Sequence, residues 1–171
     1  MTPSLLRRLD RSARGAIPLV VTLLLVLLAA LPIPLPAFAP VTPALTVICV
    51  YYWSIHRPDL LPLVATFLVG LVQDALQGTP LGMSSVVLLG VQGVVVSQRR
   101  FFLGKTFLVE WWTFMLVAPG AAILTWVLAS LYFTTPLSPR PLGVQLLLTI
   151  ALYPIANWAF ARLRQSLLHG A

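Results

Sequence analysis

The stretch FLVGLVQDALQGTPLG, residues 67–82, decides how this sequence folds. With Thr66 before it, small and polar residues recur every three or four positions: Thr66, Gly70, Gln73, Asp74, Gln77 and Gly78. Apolar residues without hydrogen-bonding side chains occupy the opposite side: Leu68, Leu71, Val72 and Ala75. At about 3.6 residues per turn, this spacing predicts a helix with two unlike faces. The small, polar face is expected to contact protein, and the apolar face is expected to contact lipid.

The composition of the whole chain points to a membrane protein. Of its 171 residues, 59% are apolar and 9% are charged, whereas a soluble domain carries about 25% charged residues. Because lipid leaves every backbone polar group to be satisfied internally, only helix bundles and closed barrels can span a membrane. The long apolar runs lack the alternating pattern of barrel strands, so we predict an all-α, polytopic membrane bundle.

Six apolar segments are candidates for transmembrane helices, each of which needs about 20 residues. They cover residues 16–31, 41–56, 60–77, 81–98, 107–133 and 142–163. We predict a basic cytoplasmic N-terminal segment (1–15), a single six-helix transmembrane domain (16–163) and a short cytoplasmic tail (164–171). The basic start resembles a signal peptide but has no convincing cleavage site, so we expect a retained first helix.

The basic residues predict the orientation, because Lys and Arg accumulate in short cytoplasmic loops. With the N-terminus inside the cell, ten of the 11 Lys and Arg residues fall on the inner side, and Arg140 alone falls outside. This predicts a protein of the cell inner membrane with both termini in the cytoplasm and with arginines near anionic lipid. There is no basic soluble module that would bind nucleic acid. Aromatic residues at the inner ends, Tyr51–Trp53, Trp111–Trp112 and Trp158, are typical of an interfacial belt.

Two ionisable residues, Asp74 and Glu110, lie within the predicted spans, where they are energetically expensive. Asp74 has two open interpretations: it ties the loop that follows its helix, or it anchors a partner or ligand. Glu110 is predicted to form an ion pair at the inner edge of its span. The last span repeats the polar pattern of the third, which predicts an interior polar stripe: Thr66, Gln73, Gln77, Gln145, Thr149, Tyr153 and Asn157.

The sequence offers no set of residues for catalysis. Both histidines, His56 and His169, lie at predicted cytoplasmic edges, away from any buried nucleophile. There is no trio of metal ligands in the spans, and the glycines match neither a P-loop nor a dinucleotide fingerprint. We therefore predict a protein that is not an enzyme and that has no cofactor and no metal.

Residues 51–82 resemble the MreD family. The resemblance is carried by Tyr51-Tyr52-Trp53, Arg57-Pro58, Leu61-Pro62 and the stretch quoted above, whose core reads Gly-Leu-x-x-Asp-x-x-x-Gly-x-x-Leu-Gly from Gly70 to Gly82. Length, number of spans and orientation are also similar. The first, fifth and sixth spans resemble the family in hydropathy alone, and the basic N-terminal segment is longer than the family pattern leads us to expect.

The resemblance implies a non-enzymatic scaffold or regulator of bacterial cell shape in the elongasome, the peptidoglycan elongation machinery. It implies binding to MreC, a bitopic membrane protein, and indirect links to RodA, a class B penicillin-binding transpeptidase and MreB. Self-association as a homodimer stays open. It also implies a fold like that of the substrate-binding subunits of energy-coupling-factor transporters. The residues at a candidate partner or structural site are Trp53, Pro58, Gly70, Asp74, Gly78 and Gly82.

An alternative function is that of a small-molecule, vitamin-binding subunit of a membrane transporter. In that case the polar stripes would line a pocket that opens outward. Such subunits often carry Ala-x-x-x-Ala on their first helix, and this spacing is missing from the first span.

Overall fold

The protein is described here from a computed structural model, which describes residues 19–28, 44–102, 106–134 and 140–168. These residues form helices joined by short turns and contain no strand, which confirms the all-α prediction. The helices are α1 (Leu19–Leu28), α2 (Leu45–His56), α3 (Leu63–Gln77), α4 (Met83–Ser97), α5 (Arg99–Phe102), α6 (Phe107–Phe133) and α7 (Arg140–Leu168), with a 3-10 turn at Pro58–Leu60. The basic segment 1–15, His169 and Lys105 lie outside the described residues.

The helices follow the predicted segments with local differences. Helix α6 begins and ends where predicted and continues through Pro119. Helix α3 ends where predicted but begins three residues later, and α4 is shorter than predicted at both ends. The short helix α5 occupies a segment that was predicted as a loop. By length and composition, two helical segments are able to cross a membrane, Phe107–Phe133 and Arg140–Leu163. The other described helices are shorter, so the count of six spans stays a prediction.

Helix α2 lies at the centre of the bundle. Residues 46–55 are all buried, and the aromatic rings of this helix fill the space between α2, α6 and α7. Tyr51 packs edge-on against Phe114 and Tyr153, with ring centroids 5.0 and 5.7 Å apart. Tyr52 lies 5.1 Å from Phe160. Aromatic pairs in such geometries stabilise a core beyond their buried area.

This packing corrects the prediction of an interfacial belt at Tyr51–Trp53. Trp53 is only 1% exposed, because other helices surround α2 and leave its aromatic residues no access to the membrane surface. The belt interpretation still suits Trp112 and Trp158, which are 68% and 60% exposed.

Helix α3 has the two faces that its sequence predicts. Thr66, Gly70 and Asp74 are buried, whereas Leu68 and Val72 are 53% and 39% exposed. The small face of α3 packs against α4, and the apolar face is left outside the bundle.

Gly70 allows α3 and α4 to approach closely. A Cβ atom at this position would lie 2.5 Å from the backbone nitrogen of Ser85 and 2.6 Å from its hydroxyl oxygen, which is closer than real side chains come. The Ser85 hydroxyl donates a hydrogen bond of 2.9 Å to the carbonyl of Phe67. The backbone of α4 therefore occupies the space that any larger residue at position 70 would need.

We expect Gly70→Ala to destabilise the protein by about 1–3 kcal/mol, because the new methyl group forces apart two packed backbones. The matched control is Gly93→Ala in α4, where an added Cβ meets nothing within 4 Å and alanine favours the helix. Thermal unfolding of the detergent-solubilised variants measures both changes. Equal unfolding temperatures for the two variants would contradict the close approach.

Candidate functional site

The carboxylate of Asp74 joins the end of α3 to the start of α4. Its Oδ1 accepts a hydrogen bond of 2.8 Å from the hydroxyl of Thr79, and its Oδ2 accepts one of 2.8 Å from the backbone N–H of Gly82. The backbone N–H of Ser84 lies 3.1 Å from both oxygens. The side chain is fully buried. We call Asp74 and these three donor residues the latch.

The sequence around the latch supplies the backbone conformations it needs. Gly78 ends α3 in the left-handed region (φ 67°), and its N–H bonds to the carbonyl of Asp74. Gly82 is also left-handed (φ 96°) and precedes the first turn of α4. The first N–H groups of a helix have no partners within it, and the positive end of the helix dipole favours an anion. The Asp74 carboxylate meets both requirements of α4.

This geometry favours the first of the two interpretations of Asp74, a tie to the loop that follows its helix. Both oxygens accept bonds from the latch, and Asp74 does not line the cavity described next. Asp74 therefore joins the loop after α3 to the start of α4, and its role as a partner or ligand anchor stays a prediction.

A cavity of about 210 Å³ lies beside the latch. Its polar lining consists of amides and hydroxyls: Gln73, Gln77, Thr79, Ser84, Thr125, Gln145 and Thr149. Its apolar lining includes small residues of α2 and α6: Ala44, Val47, Ala118, Ala121 and Ala122. Parts of α2, α3, α4, α6 and α7 therefore meet at one end of the bundle. The volume is many times what one water molecule needs.

The two predicted polar stripes meet in this cavity only in part. Gln73 and Gln77 come from α3, and Gln145 and Thr149 come from α7. The other stripe residues lie elsewhere: Thr66, Tyr153 and Asn157 do not line the cavity. Tyr153 stacks on Phe114 in the aromatic core, at 4.4 Å between ring centroids.

Sequence reasoning missed several lining residues. Thr79 directly follows Gly78, which ends α3, and Ser84 lies two residues after Gly82, which precedes α4. Only the folded hairpin brings these two residues to the cavity. The α6 residues Ala118, Ala121, Ala122 and Thr125 share one helical face, and their spacing of three to four residues was a signal that could have been used.

The cavity is suited to neutral hydrogen-bonding groups. None of its described lining residues carries a charge. The side-chain oxygen of Gln73 is buried without a hydrogen-bond partner, and a buried acceptor of this kind is costly unless something else donates to it. Thr149 accepts a bond of 2.9 Å from the N–H of Ala44, which fixes the start of α2 in the wall. Within the described parts of the chain, no three His, Cys, Asp or Glu residues come together to hold a metal.

The remaining candidate residues lie away from the cavity. Trp53 is buried in the aromatic core, and Pro58 begins the 3-10 turn after α2. A Glu110 carboxylate oxygen lies 3.6 Å from Nε2 of His56, a contact that is an ion pair only when the imidazole is protonated. The Glu110 carbonyl accepts a bond of 2.8 Å from the Tyr51 hydroxyl. These contacts lie at the end of α2 opposite the cavity.

We expect Asp74→Ala to destabilise the protein by about 2–4 kcal/mol, because it leaves the latch donors buried without an acceptor. Asp74→Asn keeps one oxygen and should have an intermediate effect. Asp59→Ala is the control, because Asp59 is an exposed acid in the neighbouring 3-10 turn. Thermal unfolding in detergent compares the three variants. If Asp74→Ala unfolds at the same temperature as Asp59→Ala, the latch does not stabilise the fold.

Comparison with known proteins gives a family but no individual relative. No curated protein and no solved structure matches the chain. The model of the family described as rod shape-determining protein MreD matches residues 10–162, which is nearly the whole chain. The latch, both left-handed glycines and the cavity lining all fall within this range, and the chain belongs to the MreD family of rod shape-determining membrane proteins.

Proposed function

We propose that the protein crosses the inner membrane six times, with both termini in the cytoplasm. Two observations support this topology. Ten of the 11 basic residues then lie on the cytoplasmic side, as positive-inside orientation requires. In addition, the cavity is lined by residues near the starts of α2, α4 and α7 and near the end of α3, which this topology places on the outer side, together with the middle of α6. The cavity would then face the periplasm.

Reporter fusions test the topology. A phosphatase that is active only in the periplasm should be inactive when fused after Ala171 and active when inserted near position 137, between α6 and α7. A cytoplasmic fluorescent reporter should give the opposite pattern at the same two positions. An active phosphatase at the C-terminus would mean an odd number of spans and would overturn the proposal.

We propose further that the protein is a non-enzymatic scaffold or regulator of cell shape that binds an MreC-like bitopic partner through the cavity. The observation that carries this proposal is the cluster of glutamine amides in a cavity without charged lining. An amide offers both donors and an acceptor, which suits the backbone of a partner segment where that segment leaves the membrane. A partner with a periplasmic domain would have such a segment on this side.

The wider role follows from membership of a rod shape-determining family. Through its partner, the protein would support the peptidoglycan elongation machinery, in which RodA and a class B penicillin-binding transpeptidase act, and connect it to MreB inside the cell. A chain with little surface outside the membrane can contact such partners only through helix faces, short loops and the cavity. The exposed apolar residues of α3 leave room for a homodimer as well.

The second candidate is a vitamin-binding subunit of a transporter, with a fold like that of energy-coupling-factor substrate-binding subunits. The cavity is the observation in its favour, because polar groups converge there from several helices. Its volume of about 210 Å³ lies below the roughly 300–1,000 Å³ of sites for drug-sized ligands. A partner's side chains or a short chain segment fit this volume better, so we favour the scaffold.

The double variant Gln73→Leu/Gln77→Leu tests the scaffold. We expect the double variant to recover about tenfold less of an MreC-like protein in co-purification, a loss that corresponds to about 1.4 kcal/mol of binding free energy. We also expect it to fail to restore rod shape in cells that lack the wild-type chain. The control is Leu68→Ala/Val72→Ala on the opposite face of α3. Thermal unfolding should stay near wild type, because neither glutamine belongs to the latch.

The outcomes separate the two candidates. Full partner recovery by the glutamine variant would exclude the cavity as the docking site. If the wild-type protein captures no bitopic partner, and a water-soluble vitamin raises its unfolding temperature, the transporter subunit is the better description.

A further inference from the structure

Arginine side chains gather at the end of the bundle opposite the cavity. Arg57 directly follows α2, and Arg99 and Arg100 begin the short helix α5. The Nε–H group of Arg99 donates a hydrogen bond of 3.2 Å to the carbonyl of Ile55 in the last turn of α2, which brings α5 beside the end of that helix. We call Arg57, Arg99 and Arg100 the arginine cluster, and we propose that it binds the headgroup of an anionic phospholipid.

The described residues around the arginine cluster do not balance its charge. Arg57 and Arg100 are exposed, and no carboxylate in the described parts of the chain lies within ion-pair distance of the three guanidinium groups. Asp59, two residues after Arg57, is also exposed and forms no ion pair within these parts. An anion from outside the chain would therefore balance a charge that the bundle itself leaves uncompensated.

The guanidinium of Arg99 is held in place with donors still available. Its Nε–H is bonded to Ile55 and the residue is half-buried, so less side-chain freedom is lost when a ligand binds. Both terminal nitrogens remain, and the planar guanidinium matches a pair of phosphate oxygens. Because a phosphate has several oxygens, it is able to contact Arg99 together with a second arginine of the cluster.

Exposed apolar residues next to the arginine cluster indicate a lipid rather than a water-soluble anion. Leu63 and Val64 begin α3 and are 60% and 70% exposed, and Val96 in the last turn of α4 is 41% exposed. The amide of Gln92 donates to the carbonyl of Leu61, at 2.7 Å, and so joins the turn before α3 to α4. This end of the bundle thus combines positive charge with apolar surface, as a phospholipid combines a phosphate with acyl chains.

Lipid binding at the arginine cluster does not depend on the partner that the cavity binds. It requires only that the chain lies in a membrane, as befits its family. In the proposed topology this end of the bundle faces the cytoplasm, where anionic lipids of the inner leaflet attract basic segments. A headgroup that contacts both Arg57 and Arg99 would tie the segment after α2 to α5.

Thermal unfolding in mixed micelles of detergent and lipid tests the arginine cluster. We expect phosphatidylglycerol to raise the unfolding temperature of the wild-type chain by about 4 °C relative to phosphatidylcholine, because a ligand that binds only the folded state stabilises it. Arg57→Gln/Arg99→Gln should lose most of this rise. The matched control is Arg140→Gln/Arg162→Gln, which removes the same charge from exposed positions on α7 and should keep the rise.

Water-soluble anions separate a lipid site from other binding sites. Inorganic phosphate and a poly-glutamate peptide, at the concentration of the lipid phosphate, should leave the unfolding temperature unchanged. An equal rise with either would overturn the lipid in favour of a free anion or an acidic protein segment. Loss of the rise in the control variant would overturn it in favour of diffuse charge. If Arg57→Gln/Arg99→Gln does not fold, Arg57→Gln/Arg100→Gln provides the same comparison, because it keeps the bond between Arg99 and Ile55.

Discussion

The carboxylate of Asp74 is the interaction on which the rest of this structure depends. The first N–H groups of a helix have no partner within it, and a buried group of this kind is costly when it stays uncompensated. Asp74 supplies the acceptor from the preceding helix, so that one side chain completes α4 and fixes its direction relative to α3. Thr79 and Ser84, which donate to that carboxylate, are also cavity residues. The wall of the cavity is therefore built on the latch.

Four residues that recur in the stretch 67–82 meet three physical requirements of the fold. Gly70 leaves space for the backbone of α4, Asp74 accepts from its first turn, and Gly78 and Gly82 adopt left-handed conformations that residues with a Cβ rarely tolerate. The contacts described above for these four residues all lie within the hairpin of α3 and α4. The family motif thus describes a tight helical hairpin, and in the proposed function recognition falls to residues that this hairpin presents, above all Gln73 and Gln77.

Sequence reasoning succeeded where periodicity alone decides the outcome. The two faces of α3 and the bounds of α6 follow from spacing and length, and the convergence of Gln73 with Gln145 follows from polar stripes on two helices. It failed at Tyr51–Trp53, because an aromatic belt and a buried aromatic core have the same composition. Only the position of α2 among its neighbours distinguishes them. The pairing of His56 with Glu110 was equally hidden, since it joins residues far apart in the chain that no spacing rule connects.

The distribution of polar groups along α2 separates two tasks within one small bundle. At one end, uncharged amides and hydroxyls surround a cavity, which suits reversible contact with another chain because no buried charge has to be neutralised. At the other end, ionisable groups join α2 to α6. The aromatic core between them packs the buried helix against α6 and α7. In the proposed function, the recognition surface and the titratable contacts therefore lie at opposite ends of the same buried helix.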